Sequence, residues 1–437
     1  EDADAQAELF SLCDVILSHD RDIRMRADDT VMDMFENKEY MIRRSRGYAP
    51  LPQLVRSNRT QHTQVLAMGG ELKNSFCVGK DELFYMSPYI GDMEDIRTVE
   101  AQQESIARFL DMLEVTPQAV ACDLHPKYNT SVLAEGYNIP IIRVQHHYAH
   151  IVSCMAENDR MEPVIGVSFD GTGYGTDHTI WGGELLLADA CGFARAGHIA
   201  PFVQIGGDLS AKEGWRIAVS MLYGRYKNEE KTLAAATALG LCAEADAKVL
   251  MRMYDRGMNA VTSTSAGRLF DAVSAVLGIC IHSTFEGEAS TALQFAAEAY
   301  EKQAPEEKSP LWKKQTNPIV SENSDTEHLV LPTDQLFDWI VDERQQGMEA
   351  SALAYAFHEA LAQMIKDACI SLRSRTGRNI VALSGGVFQN LLLLKLCRTK
   401  LTQSGFEVLI HHLVPPNDGG LALGQAVVAR NIIQNTK

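Results

Sequence analysis

The chain has 437 residues, of which 46% are apolar and 22% charged, which is typical of a soluble globular protein with two or three domains. Its formal net charge of −17 argues against non-specific nucleic-acid binding, and no apolar run is long enough to span a membrane. Nine scattered cysteines without a Cys-x-x-Cys pair indicate a reducing compartment. We therefore expect a cytoplasmic protein with no membrane and no nucleic-acid partner.

Residues 1–55 form a separate piece that is more basic than the rest and too short to bury a core alone. A short amphipathic helix is predicted over Ala7–Leu17. The run Arg43-Arg44-Ser45-Arg46-Gly47 could bind phosphate, since arginine grips phosphate with two hydrogen bonds. A solvated basic strand is the alternative.

From about residue 60 the pattern predicts a three-stranded meander followed by alternating helices and strands. The strands of the meander are Val65–Met68, Ser75–Val78 and Leu83–Met86. The segments that follow are a helix over Ile96–Leu113, a strand over Ala119–Cys122, a helix over Tyr128–Ala134, a strand over Ile139–Val144 and a helix over His147–Glu157.

The same order then begins again, which predicts two related α/β lobes that face each other across a cleft. The second meander is Val164–Phe169, Ile180–Ala188 and Phe193–Ile199. Helices are predicted over about 211–224, 230–239, 245–256, 266–277 and 289–302, and a polar surface loop over 303–325. The last predicted elements are helix Ala350–Arg373, strand Ile380–Leu383, helix Phe388–Gln403, strand Val408–His411 and helix Leu421–Ile433.

His146 and His150 are four residues apart, which on a helix puts both imidazoles on one face. With His147 between them, the pair favours a metal site. Imidazole suits Zn, Fe or a similar metal, with carboxylates completing the coordination. The alternative is that each histidine is only hydrogen-bonded to its neighbours.

The stretch Asp170-Gly171-Thr172-Gly173-Tyr174-Gly175 follows a predicted buried strand. We interpret it as a hairpin turn and also as a phosphate cradle, because its glycines leave backbone amides uncovered. Asp170 at the strand end could be a metal ligand. A plain hairpin turn is the alternative.

Three other glycine-bearing stretches could together enclose a nucleotide. Ser384–Asn390 lies between a strand and a helix, so the amides of the helix N-terminus would point at a ligand. The others are Gly206-Gly207-Asp208 and Gly267–Asp271, with Asp271 on the ribose and Asn390 near the base or sugar. For each stretch alone, helix capping or a tight turn is the alternative.

Asp418 follows two prolines that stop the preceding strand, and it begins the last helix. Its side chain could cap that helix. It could equally be a second carboxylate on the same metal as the histidines, and the pattern leaves both interpretations open.

In combination and in this order, these motifs resemble the HypF family of carbamoyltransferases, which matures nickel–iron hydrogenases. The resemblance runs from the first residues to the end of the chain. The motifs are Val144–His150, Asp170–Gly175 with Trp181-Gly182-Gly183-Glu184, Gly267–Ala272, Ser384–Asn390 and Pro416–Gly420.

The resemblance implies an α/β fold of two actin/Hsp70-like lobes, each with a βββαβα order, of the Kae1-like type. Residues 1–58 would be the C-terminal part of a YrdC-like α/β domain, residues 59–158 lobe 1 and residues 159–437 lobe 2. The family's acylphosphatase domain, zinc-finger segment and most of its YrdC-like domain would be absent. We therefore expect a C-terminal fragment that cannot make the activated intermediate itself.

The implied activity is ATP-dependent carbamoyl transfer. In the family, carbamoyl phosphate and ATP are converted to carbamoyl adenylate, and pyrophosphate is released. The carbamoyl group then passes to the C-terminal cysteine of a HypE-like acceptor protein, and AMP is released. That group becomes a cyanide ligand of the hydrogenase iron.

The resemblance also implies site residues, carried over by motif. A divalent metal (Zn, Fe or Mg) would bind His146, His150, Asp170 and Asp418. Asp170 would also be catalytic, and His147 is a candidate base for the acceptor thiol. ATP or carbamoyl adenylate would contact Gly171, Thr172, Gly207, Asp208, Asp271, Gly385, Gly386 and Asn390.

The chain departs from the family pattern at two places near the site. Lys212–Arg216 replaces the usual Arg-Glu-Pro-Trp-Arg, and Leu293-Gln294 replaces an acidic helix end, but neither change removes a proposed ligand. One competing interpretation is a carbamoyltransferase acting on a small-molecule hydroxyl or on tRNA, against which the domain order and, for tRNA, the acidic charge argue. Another is a non-catalytic nucleotide switch, which would not need the histidine pair with its carboxylates.

Overall fold

The computed structural model describes residues 2–18, 20–21, 23, 25–57, 61–303, 312, 319–320 and 328–436. Most of the predicted surface loop over 303–325 therefore lies outside the described residues. Among the helices that are described, none is both long and apolar enough to cross a membrane.

The N-terminal piece contains one helix and a two-stranded antiparallel sheet, α1 (Asp2–Leu9), β1 (Val31–Phe35) and β2 (Lys38–Arg43). The helix predicted over Ala7–Leu17 is wrong, because the helix ends at Leu9. Leu12 and Leu17 are 79% and 99% exposed. A short helix depends on packing of its apolar face, and these two side chains are exposed instead of packed.

The arginines of this piece are used by the chain itself. Arg43 donates to the Asp28 carboxylate at 2.9 Å, and Arg44 donates to the carbonyl oxygens of Tyr48 and Leu51 at 2.7 and 2.8 Å. Their first role is therefore to close the turn after β2.

Lobe 1 contains a six-stranded sheet with the order β3-β6-β5-β4-β7-β8. Strands β4 to β6 are the predicted antiparallel meander, and β4, β7 and β8 run parallel. The elements predicted here are confirmed to within two residues. They are β4 (Gln64–Ala67), β5 (Cys77–Lys80), β6 (Leu83–Met86), α2 (Ile96–Leu113), β7 (Ala119–Asp123), α3 (Asn129–Glu135), β8 (Ile141–Val144) and α4 (His146–Glu157). The sheet also contains β3 (Pro52–Leu54), which the sequence pattern does not predict.

Lobe 2 contains a nine-stranded sheet, in which seven strands follow the order β14-β15-β11-β10-β9-β16-β17 and β12 and β13 pair beside β10. Its first half consists of β9 (Val164–Tyr174), β10 (Ile180–Ala188), β11 (Phe193–Ile199), β12 (Phe202–Ile205), α5 (Leu209–Lys212), α6 (Gly214–Tyr226), α7 (Glu229–Ala238), α8 (Glu244–Arg256), β13 (Ala260–Ser263), α9 (Ala266–Val276) and α10 (Glu288–Gln303). Its second half consists of β14 (Ile319–Val320), β15 (Leu329–Leu331), α11 (Thr333–Gln345), α12 (Ala350–Thr376), β16 (Ile380–Ser384), α13 (Leu391–Gln403), β17 (Glu407–Leu409) and α14 (Leu421–Thr436).

Both lobes have the same strand order. In lobe 1 the strands lie β6-β5-β4-β7-β8, and in lobe 2 they lie β11-β10-β9-β16-β17. In each case an antiparallel meander is extended by two parallel strands from its first strand. This repetition confirms the predicted two-lobed α/β fold.

Helices α4 and α14 pack together where the lobes meet, in a buried apolar cluster that includes Val65 of lobe 1 and Ala382 of lobe 2. Their backbones nearly touch: a Cβ added to Gly424 would lie 1.9 Å from the Ala149 carbonyl oxygen. The last helix thus returns to the first lobe, and it holds α4 against the strand ends where the candidate site lies.

Candidate functional site

Helix α4 begins at the candidate site. Gln145 caps it, since Gln145 Oε1 accepts from the backbone N–H of Tyr148 at 2.9 Å. His146 and His150 are both buried, and their ring centroids are 4.9 Å apart. The spacing of four residues therefore puts both imidazoles on one face, as predicted.

The structure brings the two histidines together with Asp170 of β9 and Asp418 of the loop before α14. One ligand atom from each of these residues lies within 4.8 Å of the other three. His146 Nε2 is 3.1 Å from Asp170 Oδ2 and 3.5 Å from Asp418 Oδ1. His150 Nε2 is 3.6 and 3.5 Å from the same two oxygens.

These four residues fit a divalent metal. His150 Nε2 is buried without a hydrogen-bond partner among the described residues, and such an atom needs a partner of some kind. Two imidazole nitrogens and two carboxylate oxygens form a donor set that suits Zn or Fe. We call these four residues the candidate metal centre.

Asp123 supports this centre and was missed in the sequence. It ends β7, is fully buried, and its Oδ2 lies 2.7 Å from His146 Nδ1. The carboxylate holds the imidazole hydrogen on Nδ1 and leaves Nε2 facing the cluster, an arrangement common among histidine ligands of metals. An acidic residue directly after the buried strand Ala119–Cys122 was the signal available.

The charges within the centre stabilise one another. Burial opposes ionisation of Asp170, but the hydrogen bond from His146 and the positive charges of the two nearby histidines outweigh it, so the pKa of this carboxyl lies well below its usual range. Burial likewise opposes protonation of His146, but the charges of Asp418 and Asp123 raise its pKa well above the ordinary value. The carboxylates of the site thus favour positive charge beside them, which a bound cation would supply in place of the histidine protons.

The predicted hairpin is formed by β9 and β10, but its turn begins only after Tyr174, so most of the glycine-rich stretch lies on β9 and not in the turn. β9 continues to Tyr174, and the connection to β10 follows it. Glycine is needed here for close packing: a Cβ on Gly173 would lie 2.4 Å from His147 Cε1. At Gly171 an added Cβ would meet nothing within 4 Å, so space is open beside Asp170.

The glycine loop after β16 contacts the metal centre directly. Gly386 donates its backbone N–H to Asp170 Oδ1 at 2.9 Å, which leaves Oδ2 for the histidines. Gly385 has φ of +101°, and a Cβ there would lie 2.2 Å from the Phe169 carbonyl oxygen. The structure therefore brings Gly171 and Gly386 together around Asp170, and their contacts with a nucleotide stay predictions.

Other predicted nucleotide contacts have partners within the chain. Asn390 caps α13 with its Oδ1, and its Nδ2 lies 2.8 Å from His358 Nε2. Asp271 is buried and accepts from Arg268 Nε at 2.7 Å. Both side chains would have to exchange these partners to bind a ligand, so their roles stay predictions.

Thr172, Gly207 and Asp208 are exposed. Thr172 lies on β9, and Asp208 immediately precedes α5 without a side-chain cap hydrogen bond. These positions are open to a ligand, and their contacts with a nucleotide stay predictions as well.

Comparison with known proteins decides the family. A model of the Kae1-like domain of carbamoyltransferases, second subdomain, matches residues 166–425, and the HypF Kae1-like domain matches residues 60–157. The chain belongs to the HypF carbamoyltransferase family. The resemblance of the motifs is thereby confirmed.

Individual relatives agree with this assignment. Carbamoyltransferase HypF of Rhizobium leguminosarum bv. viciae is 33% identical over 99% of this chain and 53% of its own length. A carbamoyltransferase HypF homolog of Cupriavidus necator is 36% identical over 85% of this chain and 92% of its own length. The chain spans about half the length of the first of these relatives.

A solved HypF structure confirms the fold. A full-length HypF in a phosphate- and nucleotide-bound form has a TM-score of 0.88 and 34% identity, over 99% of this chain and 65% of that one.

His147, the predicted base, occupies a different position from the metal centre. It is fully buried, and burial together with the charge of His146 holds its pKa well below the usual value. Its Nδ1 lies 3.2 Å from Gln145 Nε2, a donor that also bonds the Tyr174 carbonyl oxygen. The hydrogen of His147 is therefore on Nε2, and this geometry argues against a role as base.

Proposed function

We propose that this chain transfers the carbamoyl group of carbamoyl adenylate to the C-terminal cysteine of a HypE-like acceptor protein, in the cytoplasm. Membership of the HypF family supports the reaction class. The observation that carries the proposal is the convergence of His146, His150, Asp170 and Asp418 beside the open space at Gly171. The proposed products are AMP and an S-carbamoylated acceptor, a precursor of the cyanide ligands of nickel–iron hydrogenases.

The residues of the chain would orient the reactants. Asp123 fixes the tautomer of His146, and the Gly386 amide fixes Asp170, so the donor set is ordered before substrate binds. The open space beside Gly171 would take the phosphate, next to the Asp170 carboxylate. A divalent cation bound by the four residues would supply Lewis acidity next to that phosphate.

The proposed step exchanges one bond at the carbamoyl carbon. The thiolate sulfur attacks that carbon, the C–S bond forms, and the C–O bond to the phosphate breaks with its electron pair leaving on AMP. The thiol proton leaves to solvent before attack, since His147 is not placed to accept it. No oxidant or reductant is required.

Transfer can be measured with purified chain, prepared carbamoyl adenylate and a peptide that ends in cysteine, with mass spectrometry of the peptide. We expect S-carbamoylation, and a loss of at least about 100-fold in His146→Ala. Glu104→Gln, on the exposed surface of α2, is the control and should react like wild type. Nucleotide binding without transfer in the wild type would favour the nucleotide-switch interpretation instead.

Nucleotide binding has its own test, which uses a pair of glycines with open surroundings. An added Cβ meets nothing within 4 Å at Gly171 or at Gly192, but only Gly171 is next to the candidate metal centre. AMP at about 100 times its Kd should stabilise the wild type and Gly192→Val by about 2.7 kcal/mol. Gly171→Val should fold normally, but AMP should increase its stability only slightly. Equal stabilisation of both variants would contradict the proposed nucleotide position.

A further inference from the structure

A buried chain of hydrogen bonds next to the site takes no part in the proposed reaction. Ser384 Oγ lies 2.8 Å from His411 Nε2, and His411 Nδ1 lies 2.8 Å from Glu157 Oε2. The side chains of His411 and Glu157 are 1% and 8% exposed. A carboxylate only accepts, so Nδ1 carries a hydrogen and a neutral imidazole accepts the Ser384 hydroxyl on Nε2.

The other oxygen of Glu157 organises the loop that leads to Asp418. Glu157 Oε1 accepts from the backbone N–H groups of His412, Leu413 and Val414 at 2.9, 2.5 and 3.2 Å. Three consecutive donors thus converge on one carboxylate oxygen. These bonds fix the backbone that ends four residues before the candidate ligand Asp418.

The opposite end of the chain of hydrogen bonds reaches the glycine loop. Ser384 is the last residue of β16, and Gly385 after it donates its N–H to the Pro416 carbonyl oxygen at 3.0 Å. Gly386 then donates to Asp170. Glu157, His411 and Ser384 therefore join α4, the glycine loop and the Asp418 loop, the segments around the candidate ligands.

We propose that Glu157, His411 and Ser384 are positioning residues that set where Asp418 stands relative to the two histidines. The metal affinity of the centre then depends on three residues that cannot reach the metal. Glu157 lies two turns of α4 beyond His150, about 10 Å, and both nitrogens of His411 already have partners. This inference rests on the proposed metal centre. Its physical reason is that a loop which is already ordered loses less conformational freedom when the metal binds, so the affinity is higher.

The test is the Zn²⁺ affinity of the 437-residue chain, measured by competition with a chromophoric chelator. Glu157→Ala and His411→Phe should weaken binding about 10- to 100-fold, the usual range for groups that orient metal ligands. Ser384→Ala keeps the contacts of Glu157 with the loop, so its Zn²⁺ affinity should fall less than that of Glu157→Ala. Glu157→Gln keeps an acceptor oxygen for the loop amides and should recover part of the affinity.

A general loss of stability must be separated from loss of positioning. Ile365→Ala opens a cavity in the middle of α12, so it should lower the unfolding temperature and leave the Zn²⁺ affinity unchanged. In an Asp418→Asn background, Glu157→Ala should lower the Zn²⁺ affinity by less than about threefold, because the carboxylate that Glu157 positions is already altered.

The outcomes distinguish this inference from the proposed metal centre. Wild-type Zn²⁺ affinity in Glu157→Ala, or an equal loss in Ile365→Ala, would overturn the inference and leave the metal centre standing. Absence of Zn²⁺ binding in the wild type, or unchanged binding in His146→Ala, would overturn the metal centre and the inference together.

Discussion

At the scale of single residues, the candidate metal centre depends on groups that hold its ligands as well as on the ligands themselves. Asp123 fixes His146 from one side, and the Gly386 amide fixes one oxygen of Asp170. The remaining atoms, His146 Nε2, His150 Nε2 and one carboxylate oxygen from each aspartate, face one point. A bound cation would satisfy them together.

Substitution of Asp123 should weaken this centre without removing a ligand. In Asp123→Ala the His146 imidazole loses its tautomer and its orientation, so Zn²⁺ affinity should fall about 10- to 100-fold. Asp95→Asn, an exposed carboxylate that caps α2, is the control in the same lobe. Chelator competition measures both variants, and equal affinities would show that Asp123 has no part in the centre.

His358 predicts a pH dependence of stability. Burial lowers the pKa of His358 to about 4 from an ordinary 6.5, so below pH 6.5 the unfolded chain binds a proton that the folded chain does not. Stability from this group is complete above pH 6.5 and is lost as pH falls towards 4, by about 1.4 kcal/mol per unit.

Urea denaturation at pH 7 and pH 5 measures this effect. His358→Gln cannot be protonated, so its loss of stability between the two pH values should be smaller than that of wild type by about 2 kcal/mol. His62→Gln, at a histidine side chain that is 94% exposed, is the control. The same pH dependence in wild type and His358→Gln would refute the prediction.

At the scale of elements, the crossing of α4 and α14 determines where the histidines stand. The helices approach so closely at Gly424 that no side chain fits against the Ala149 backbone. Since Ala149 lies between the two histidine ligands, any shift at this crossing moves the metal centre.

A pair of glycine substitutions tests this crossing. Glycine to alanine in a helix normally stabilises by up to about 1 kcal/mol, and Gly224→Ala in α6 should do so because an added Cβ has only Tyr254 Oη at 3.7 Å. Gly424→Ala should instead destabilise by at least about 2 kcal/mol. Urea denaturation compares them, and stabilisation by Gly424→Ala would contradict the described packing.

The sequence predicts long periodic elements and motifs well, because their signals are local. Helix Ile96–Leu113 was predicted at its observed bounds. Strands β12, β13 and β15 were missed, as was helix α11, and each of these strands has only three or four residues. Their pairing partners are distant in the chain, so local patterns carry little information about them.

The candidate site divides in the same way. The four metal-binding candidates come from motifs, and the structure brings them together. Asp123, Glu157 and His411 act through contacts with residues far away in the chain, and no motif joins them. The turn of the β9–β10 hairpin was placed too early, at Gly171–Gly175, because glycines that allow close packing look the same in sequence as glycines of a turn.

At the scale of the whole molecule, the N-terminal piece and the two lobes meet near the metal centre. Tyr40 donates its hydroxyl to the Phe388 carbonyl oxygen at 2.8 Å, and Asn417 Nδ2 donates to the Ile42 carbonyl oxygen at 3.0 Å. Lys73 of lobe 1 pairs with Glu286 of lobe 2. The predicted domain bounds at 58 and 158 stay predictions, while these contacts place all three parts around one site.

The most direct test of the account is the metal content of the purified chain, measured by elemental analysis beside His146→Ala and Asp418→Ala. We predict about one divalent transition metal per wild-type chain and loss of that metal in both variants, which should keep their helix content. Metal retained in Asp418→Ala would remove Asp418 from the set of ligands. Absence of metal in the wild type, even after incubation with Zn²⁺, would contradict the proposed centre and with it the proposed mechanism of carbamoyl transfer.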